Sequence, residues 1–181
     1  PMGSFSTGGT GTGAGLGSQG ALAMSQDGRH LVVVNPGSDD VTLFRSAGPG
    51  HLQLQDVAAT GGQRPTSVAI HRDLVYALNA DSDDLTGFRI VGSSLQPIGR
   101  FALSGSGVAA AQVGFDPQGG HVVVTERATN QILVFPVESD GSLGTPTASA
   151  SVAPTPFGFQ FGRTGTLVVS EAAGGQPGLS A

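Results

Sequence analysis

Only three glutamates occur in the chain, and two of them end equivalent apolar runs: Val122-Val-Val-Thr-Glu126 and Leu167-Val-Val-Ser-Glu171. A carboxylate at the end of a strand beside a channel can act as general acid or base. The same side chain can equally tie down its own loop by hydrogen bonds to backbone, as Asn and Asp do in turns. Asn35 and Asn79, which end the two earlier runs, read that second way, and for the glutamates both readings stand. Arg127 follows Glu126, and Arg64 opens Arg64-Pro-Thr-Ser-Val-Ala69. A planar guanidinium suits carboxylate or phosphate, so both could anchor a small anionic substrate. The competing reading of Arg127 is a local ion pair with Glu126 or Glu171. Gln19 and Gln112 fall beside predicted inner strands, where an amide can hold a substrate carbonyl or a water. The candidate set is therefore Glu126 and Glu171 as catalytic groups, with Arg64, Arg127, Gln112 and Gln19 as binding groups.

Other chemistries fail on residue type. The chain has no Cys, which removes disulfides, thiolate metal sites and thiol nucleophiles and leaves the compartment open. All eight basic residues are Arg, so Walker A and Schiff-base chemistry are excluded. A formal net charge of −5 argues against nucleic-acid binding, and no apolar run nears the roughly 20 residues of a membrane helix. His30, His51, His71 and His121 have no zinc spacing, and no metal or cofactor is expected. Asp81-Ser-Asp83-Asp84 fails as a calcium loop, because its sixth and twelfth positions are Thr86 and Gly92; it and Ser38-Asp39-Asp40 read as solvated loops. Gly15-x-Gly17-x-x-Gly20 leads into a strand, not the helix that a dinucleotide fingerprint requires.

The elements that would position these residues come from an internal repeat. The run ends Asn35, Asn79, Glu126 and Glu171 are spaced 79 − 35 = 44, 126 − 79 = 47 and 171 − 126 = 45. The aromatics Phe44, Phe88 and Phe135 repeat the first two intervals. A period near 45 with short Val-rich runs bounded by Gly, Pro, Asp and Asn marks a β-propeller blade, not a helical solenoid. Inner strands are expected near 20–24, 66–70, 111–115 and 157–161, second strands at 31–35, 74–79, 121–126 and 166–171, and third strands at 41–45, 85–90 and 131–137. Outer strands are expected near 52–58, 95–103 and 142–150. The loops after the second strands and the connections between blades share one end of the ring; His71 and His121 belong to the other.

The expected fold class is all-β: a propeller fragment of three complete four-stranded blades, about 20–63, 64–107 and 108–153, plus parts of two others. One part is the incomplete unit 154–181, expected to stop before its third strand. The other is Phe5–Thr7, read as the tail of an outer strand, with Gly8–Gly20 as a connection. Pro1-Met-Gly-Ser4 reads as a protease-site and cloning remnant. Such a chain leaves open blade faces, so ring completion by a second copy or a second fragment is expected.

Gly13–Gln19, Arg64–Ala69, Leu74–Asn79, Thr125–Asn130 and Thr155–Phe159 resemble the YVTN-type blade of the lactonase family of propellers, which includes bacterial 6-phosphogluconolactonases and fungal carboxymuconate cyclases. The resemblance implies a seven-bladed ring, of which about half is present. It also implies action on a small anionic lactone or a muconate-type substrate at the ring mouth. Glu126 or Glu171 would then be the acid/base and Arg64 and Arg127 the anchors. The alternatives are a non-catalytic propeller scaffold or binding module, or a fragment made to study folding and assembly, since fold does not fix function.

Overall fold

Alternating side chains decide the architecture. In β6 (Leu74–Asn79), Tyr76 and Leu78 join one buried cluster while Val75 and Ala77 join another. In β10 (His121–Glu126), Val122 and Val124 face one way and Val123 the other. Successive strand residues point to opposite faces, so a strand apolar on both faces must be covered on both. Sheets stacked face to face meet that demand.

The computed structural model describes residues 3–172 and 178–181 and contains four antiparallel sheets. Blade 1 holds β1 (Leu22–Met24), β2 (His30–Asn35), β3 (Asp40–Ser46) and β4 (Leu52–Ala59). Blade 2 holds β5 (Pro65–His71), β6, β7 (Asp84–Val91) and β8 (Ser94–Ala102). Blade 3 holds β9 (Ala110–Phe115), β10, β11 (Gln131–Pro136) and β12 (Thr147–Ala150). Blade 4 is three-stranded: β13 (Pro156–Phe161), β14 (Leu167–Glu171) and β15 (Gly178–Ser180). Each sheet runs in sequence order from the inner strand outward. One apolar layer lies between each pair of successive blades. Burial of Tyr76 between blades 2 and 3 pushes its phenol up to about 12. Its hydroxyl donates to the Gly141 carbonyl at 2.6 Å.

The all-β propeller expectation holds, and three details differ. The end of the chain does enter a third strand of blade 4: β15 pairs with β14, with Glu171 opposite Gly178. Phe5–Thr7 forms no ladder; it runs as coil against blade 1, and Thr7 offers its carbonyl to the Thr42 hydroxyl at 2.7 Å. Thr60 does the same for Thr86 in the next blade, at 2.8 Å. The outer strand of blade 3 begins only at Thr147, after Gly144-Thr-Pro146, because proline has no N–H to give a ladder.

Candidate functional site

Asn35, Asn79, Glu126 and Glu171 occupy one rim, each as the last residue of a second strand. The structure shows what each grips. Asn79 Nδ2 donates to Asp84 Oδ1 at 2.6 Å and Thr86 Oγ1 at 2.9 Å. Asn35 repeats this with Asp40 at 2.6 Å and Thr42 at 2.8 Å. Gly62 and Gly9 pack onto these amides so closely that a Cβ would stand 2.3 Å and 2.5 Å from them, which only glycine allows.

Glu126 is wholly buried and acts as an acceptor. Ser104 donates its N–H at 3.1 Å and its hydroxyl at 2.5 Å, and Thr129 donates its hydroxyl at 2.6 Å. Glu171 Oε1 receives the Ala153 N–H at 3.0 Å and the Ser151 and Ser180 hydroxyls at 2.8 Å each. The Ala153 N–H holds the Glu171 carboxyl below its ordinary value; burial opposes this, and the two hydroxyls reinforce it. Each glutamate thus fastens the end of the preceding blade to its own strand. Buried carboxylates so engaged are shaped as clasps, Glu126 through both oxygens and Glu171 through Oε1.

The aspartates of these loops are engaged as well: Asp39 and Asp81 are exposed, as expected of solvated loops, yet each accepts a hydrogen bond. Asp39 Oδ1 accepts the Arg64 N–H at 2.6 Å, and Asp83 Oδ2 accepts the Gly107 N–H at 2.6 Å. Asn130 Oδ1 accepts the Thr155 N–H at 2.7 Å in the third interval. All three residues have positive φ (58°, 50° and 54°), which turns the side chain toward the next blade's entry. Asp84 is buried and pairs with Arg100.

The two candidate arginines approach adjacent residues of one segment, Leu16 and Gly17. The Gly-rich segment Thr12–Gln19 crosses the rim as a strap over blades 2 and 3. Ser18 Oγ donates to the Thr66 carbonyl at 2.8 Å, and the Gln19 N–H to the Ala111 carbonyl at 2.9 Å. Arg64 Nη1 reaches the Leu16 carbonyl at 3.4 Å while its Nε pairs with Asp81 at 2.7 Å. Arg127 Nη2 lies 3.9 Å from where a Cβ on Gly17 would stand. The expected local pair of Arg127 with Glu126 or Glu171 does not form, because both carboxylates are turned inward to the preceding blade. Arg127 instead donates its Nε to the Ala109 carbonyl at 2.9 Å and lies over the Phe157 ring, 5.5 Å from its centre. It has no acidic partner among the described residues, and a cation over an aromatic face stays available to an anion on its outer side.

Gln112 and Gln19 are placed differently from each other. Gln112 clamps blade 4 onto blade 3: its Nε2 donates to the Phe159 carbonyl and its Oε1 accepts the Phe159 N–H, each at 3.0 Å. Gln19 is exposed at the end of the strap, its side chain beside Gly158. A groove of about 470 Å³ runs along the inner strands of all four blades, from Gly20, Val68 and Gln112 to His71 and Phe161. The His71 ring packs on Phe115 at 5.4 Å, and His121 hydrogen-bonds Asp116 at 3.0 Å. Burial raises the Asp116 carboxyl, but the His121 side chain and two backbone N–H donors outweigh it, and the net displacement is downward.

Sequence reasoning missed the strap and the aromatic seat of Arg127. A signal existed for the clasps. Thr-Gly-Gly precedes each Asn blade, at 7–9 and 60–62, while a serine precedes each Glu blade, at Ser104 and Ser151.

Comparison with known proteins agrees with this fold. The family model described as Lactonase, 7-bladed beta-propeller, matches residues 3–102. A 6-phosphogluconolactonase from Enterobacter is 26% identical over 159 residues, covering 81% of this chain and 48% of that protein. The chain thus spans about half the length of that curated relative. The periplasmic gluconolactonase of Pseudomonas aeruginosa superposes with a TM-score of 0.66 at 22% identity, over 87% of this chain and 51% of that one. Hydrazine synthase from Kuenenia stuttgartiensis superposes with a TM-score of 0.74 at 18% identity, over 93% and 47%. Such different chemistries on one scaffold mean that the reaction must be argued from the site.

Proposed function

The chain belongs to the lactonase family of seven-bladed β-propellers, and on that premise we propose that its strand-end rim receives the anionic group of a small lactone, with Arg127 and Arg64 as the receiving cations. One observation carries this reading: both guanidiniums converge on Leu16 and Gly17, and Arg127 is held there without an acidic partner among the described residues. Hydrolysis adds water to the lactone carbonyl carbon and breaks the ring C–O bond, giving a hydroxy acid. The arginines orient the substrate by its anionic end. Gln19 is assigned to the same rim as a polar contact. Gln112, Glu126 and Glu171 are assigned to the frame, because their polar atoms already join one blade to the next.

The name of the Enterobacter relative favours a phosphorylated sugar lactone over a muconate-type substrate. Ring completion by a second copy or second fragment belongs to the same proposal, supported by Leu22, Met24 and Leu179, which are 60%, 48% and 73% exposed. Calorimetric titration of the chain with the product acids tests the reading. 6-Phosphogluconate is expected to bind roughly tenfold or more tighter than gluconate, and Arg127→Ala to abolish that preference, as loss of a charge-assisted contact predicts. Equal affinities in the unmodified chain, or a preference that survives Arg127→Ala, would overturn it.

A further inference from the structure

The strap lies on the groups that the proposed site needs, and its hold is slight. Leu16 presents a backbone carbonyl oxygen to Arg64 Nη1, the place an anionic ligand oxygen would take. Gly17 crosses beside Arg127 Nη2. From Thr12 to Gln19 no residue is buried, and only Leu16 and Ser18 are half-buried. The strap is held by the Ser18 hydroxyl, the Gln19 N–H and the long Arg64 contact, at 2.8, 2.9 and 3.4 Å. Gly13, Gly17 and Gly20 have φ of +72°, +66° and +75°, so the path turns at residues that carry no side chain to anchor it. Its two ends are tied to blades 1 and 2: Thr10 offers its carbonyl to the Gly37 N–H at 2.9 Å, and Gly20 offers its own to the Val68 N–H at 2.8 Å. A segment tied at both ends and weakly held between them can lift without disturbing the sheets.

We infer that Thr12–Gln19 is a displaceable cover of the two-arginine site, with the Leu16 carbonyl standing in for the ligand's anionic oxygen. The inference rests on the anion-site reading above and adds its regulation. Closed, the strap fills one donor of Arg64 and screens Arg127. Open, it frees both for the same oxygen-bearing anion. A ligand that binds only the open state is weakened by the fraction of molecules that are closed. Loosening the strap must therefore tighten binding, and binding must loosen the strap.

The test uses inorganic phosphate as probe, with Ser18→Ala as the variant; the hydroxyl of Ser18 contacts the Thr66 carbonyl and neither arginine. Phosphate affinity is read by titration, and the strap by hydrogen exchange at the Gln19 amide, whose acceptor is Ala111 on β9. Ser18→Ala is expected to tighten phosphate by about two- to tenfold, the worth of one neutral hydrogen bond. Saturating phosphate is expected to speed Gln19 exchange in the unmodified chain. Binding seen only in Ser18→Ala also supports the cover. Equal phosphate affinity in both proteins, with Gln19 exchange unchanged or slowed, overturns the cover and leaves the anion site standing. No binding in either protein, while Ser18→Ala exchanges Gln19 faster, overturns both.

Discussion

Blades 1 and 2 and blades 3 and 4 solve one problem in opposite ways. Each must join the end of its second strand to the chain arriving from the preceding blade. In the first pair an asparagine donates, and the fold supplies acceptors: Asp40 and Thr42, or Asp84 and Thr86. In the second pair a glutamate accepts, and the fold supplies donors: Ser104 and Thr129, or Ser151, Ala153 and Ser180. The partners change with the clasp. Asp40 and Asp84 pair across from Asn35 and Asn79, whereas Gln131 pairs across from Glu126. Leu133, two residues on, is apolar where Thr42 and Thr86 carry hydroxyls. Stripping a buried donor or acceptor of its partner is costly, so the clasp residue and its partners form one unit and cannot be exchanged singly.

The comparison breaks most visibly at Glu126. Glu126→Ala empties a wholly buried position and removes the charged acceptor of three hydrogen bonds from Ser104 and Thr129, and a cost of roughly 3–5 kcal/mol in a urea melt is expected. A loss under about 1 kcal/mol would show that water replaces the carboxylate and that the clasp is idle. Next comes Asn79→Glu, which places a second carboxylate against Asp84 where a donor stood. It is expected to cost about 3 kcal/mol and more than Asn79→Ala, since like charges meet in a buried site. The reverse order would deny that donor and acceptor roles divide the blades.

Acid sharpens the contrast further. The carboxyl of Glu171 is held below its ordinary 4.5 in the folded chain, so its contribution is complete above that pH and fades as pH falls through the lower folded value. The melting temperature is expected to drop below pH 4.5, with a shallower drop in Glu171→Gln and an unaltered one in Asn35→Ala. An acid slope that Glu171→Gln leaves unchanged would remove Glu171 from the linkage. The smallest effect is expected at Tyr76→Phe, which deletes the bond to the Gly141 carbonyl between blades 2 and 3 but keeps the ring, at about 1–2 kcal/mol by chemical denaturation.

The repeat was legible because its signals are local. Strand ends at Asn79 and Glu126 can be read to the residue, since Val-rich runs stop where polar loops begin and the 44- to 47-residue interval aligns them. Whether a glutamate at that place is a clasp or an acid was not legible. Ser104 lies 22 residues before Glu126 and Ser151 lies 20 before Glu171, and only blade stacking brings them within hydrogen-bond reach. The strap was opaque for another reason: Gly11 to Gly20 has no periodicity, so nothing in it foretells that it will cross blades 2 and 3.

Taken alone, the order of residues determined the blade, the shared rim and the residue types gathered there, because period-2 burial and turn chemistry act within a few residues. Tertiary structure decided the rest. It turned Glu126 and Glu171 inward, seated Arg127 on Phe157 and laid Leu16 against Arg64. Hydrogen bonds and ion contacts act over only a few ångströms, and neighbours at that distance come from separate blades whose stacking is set by their apolar faces.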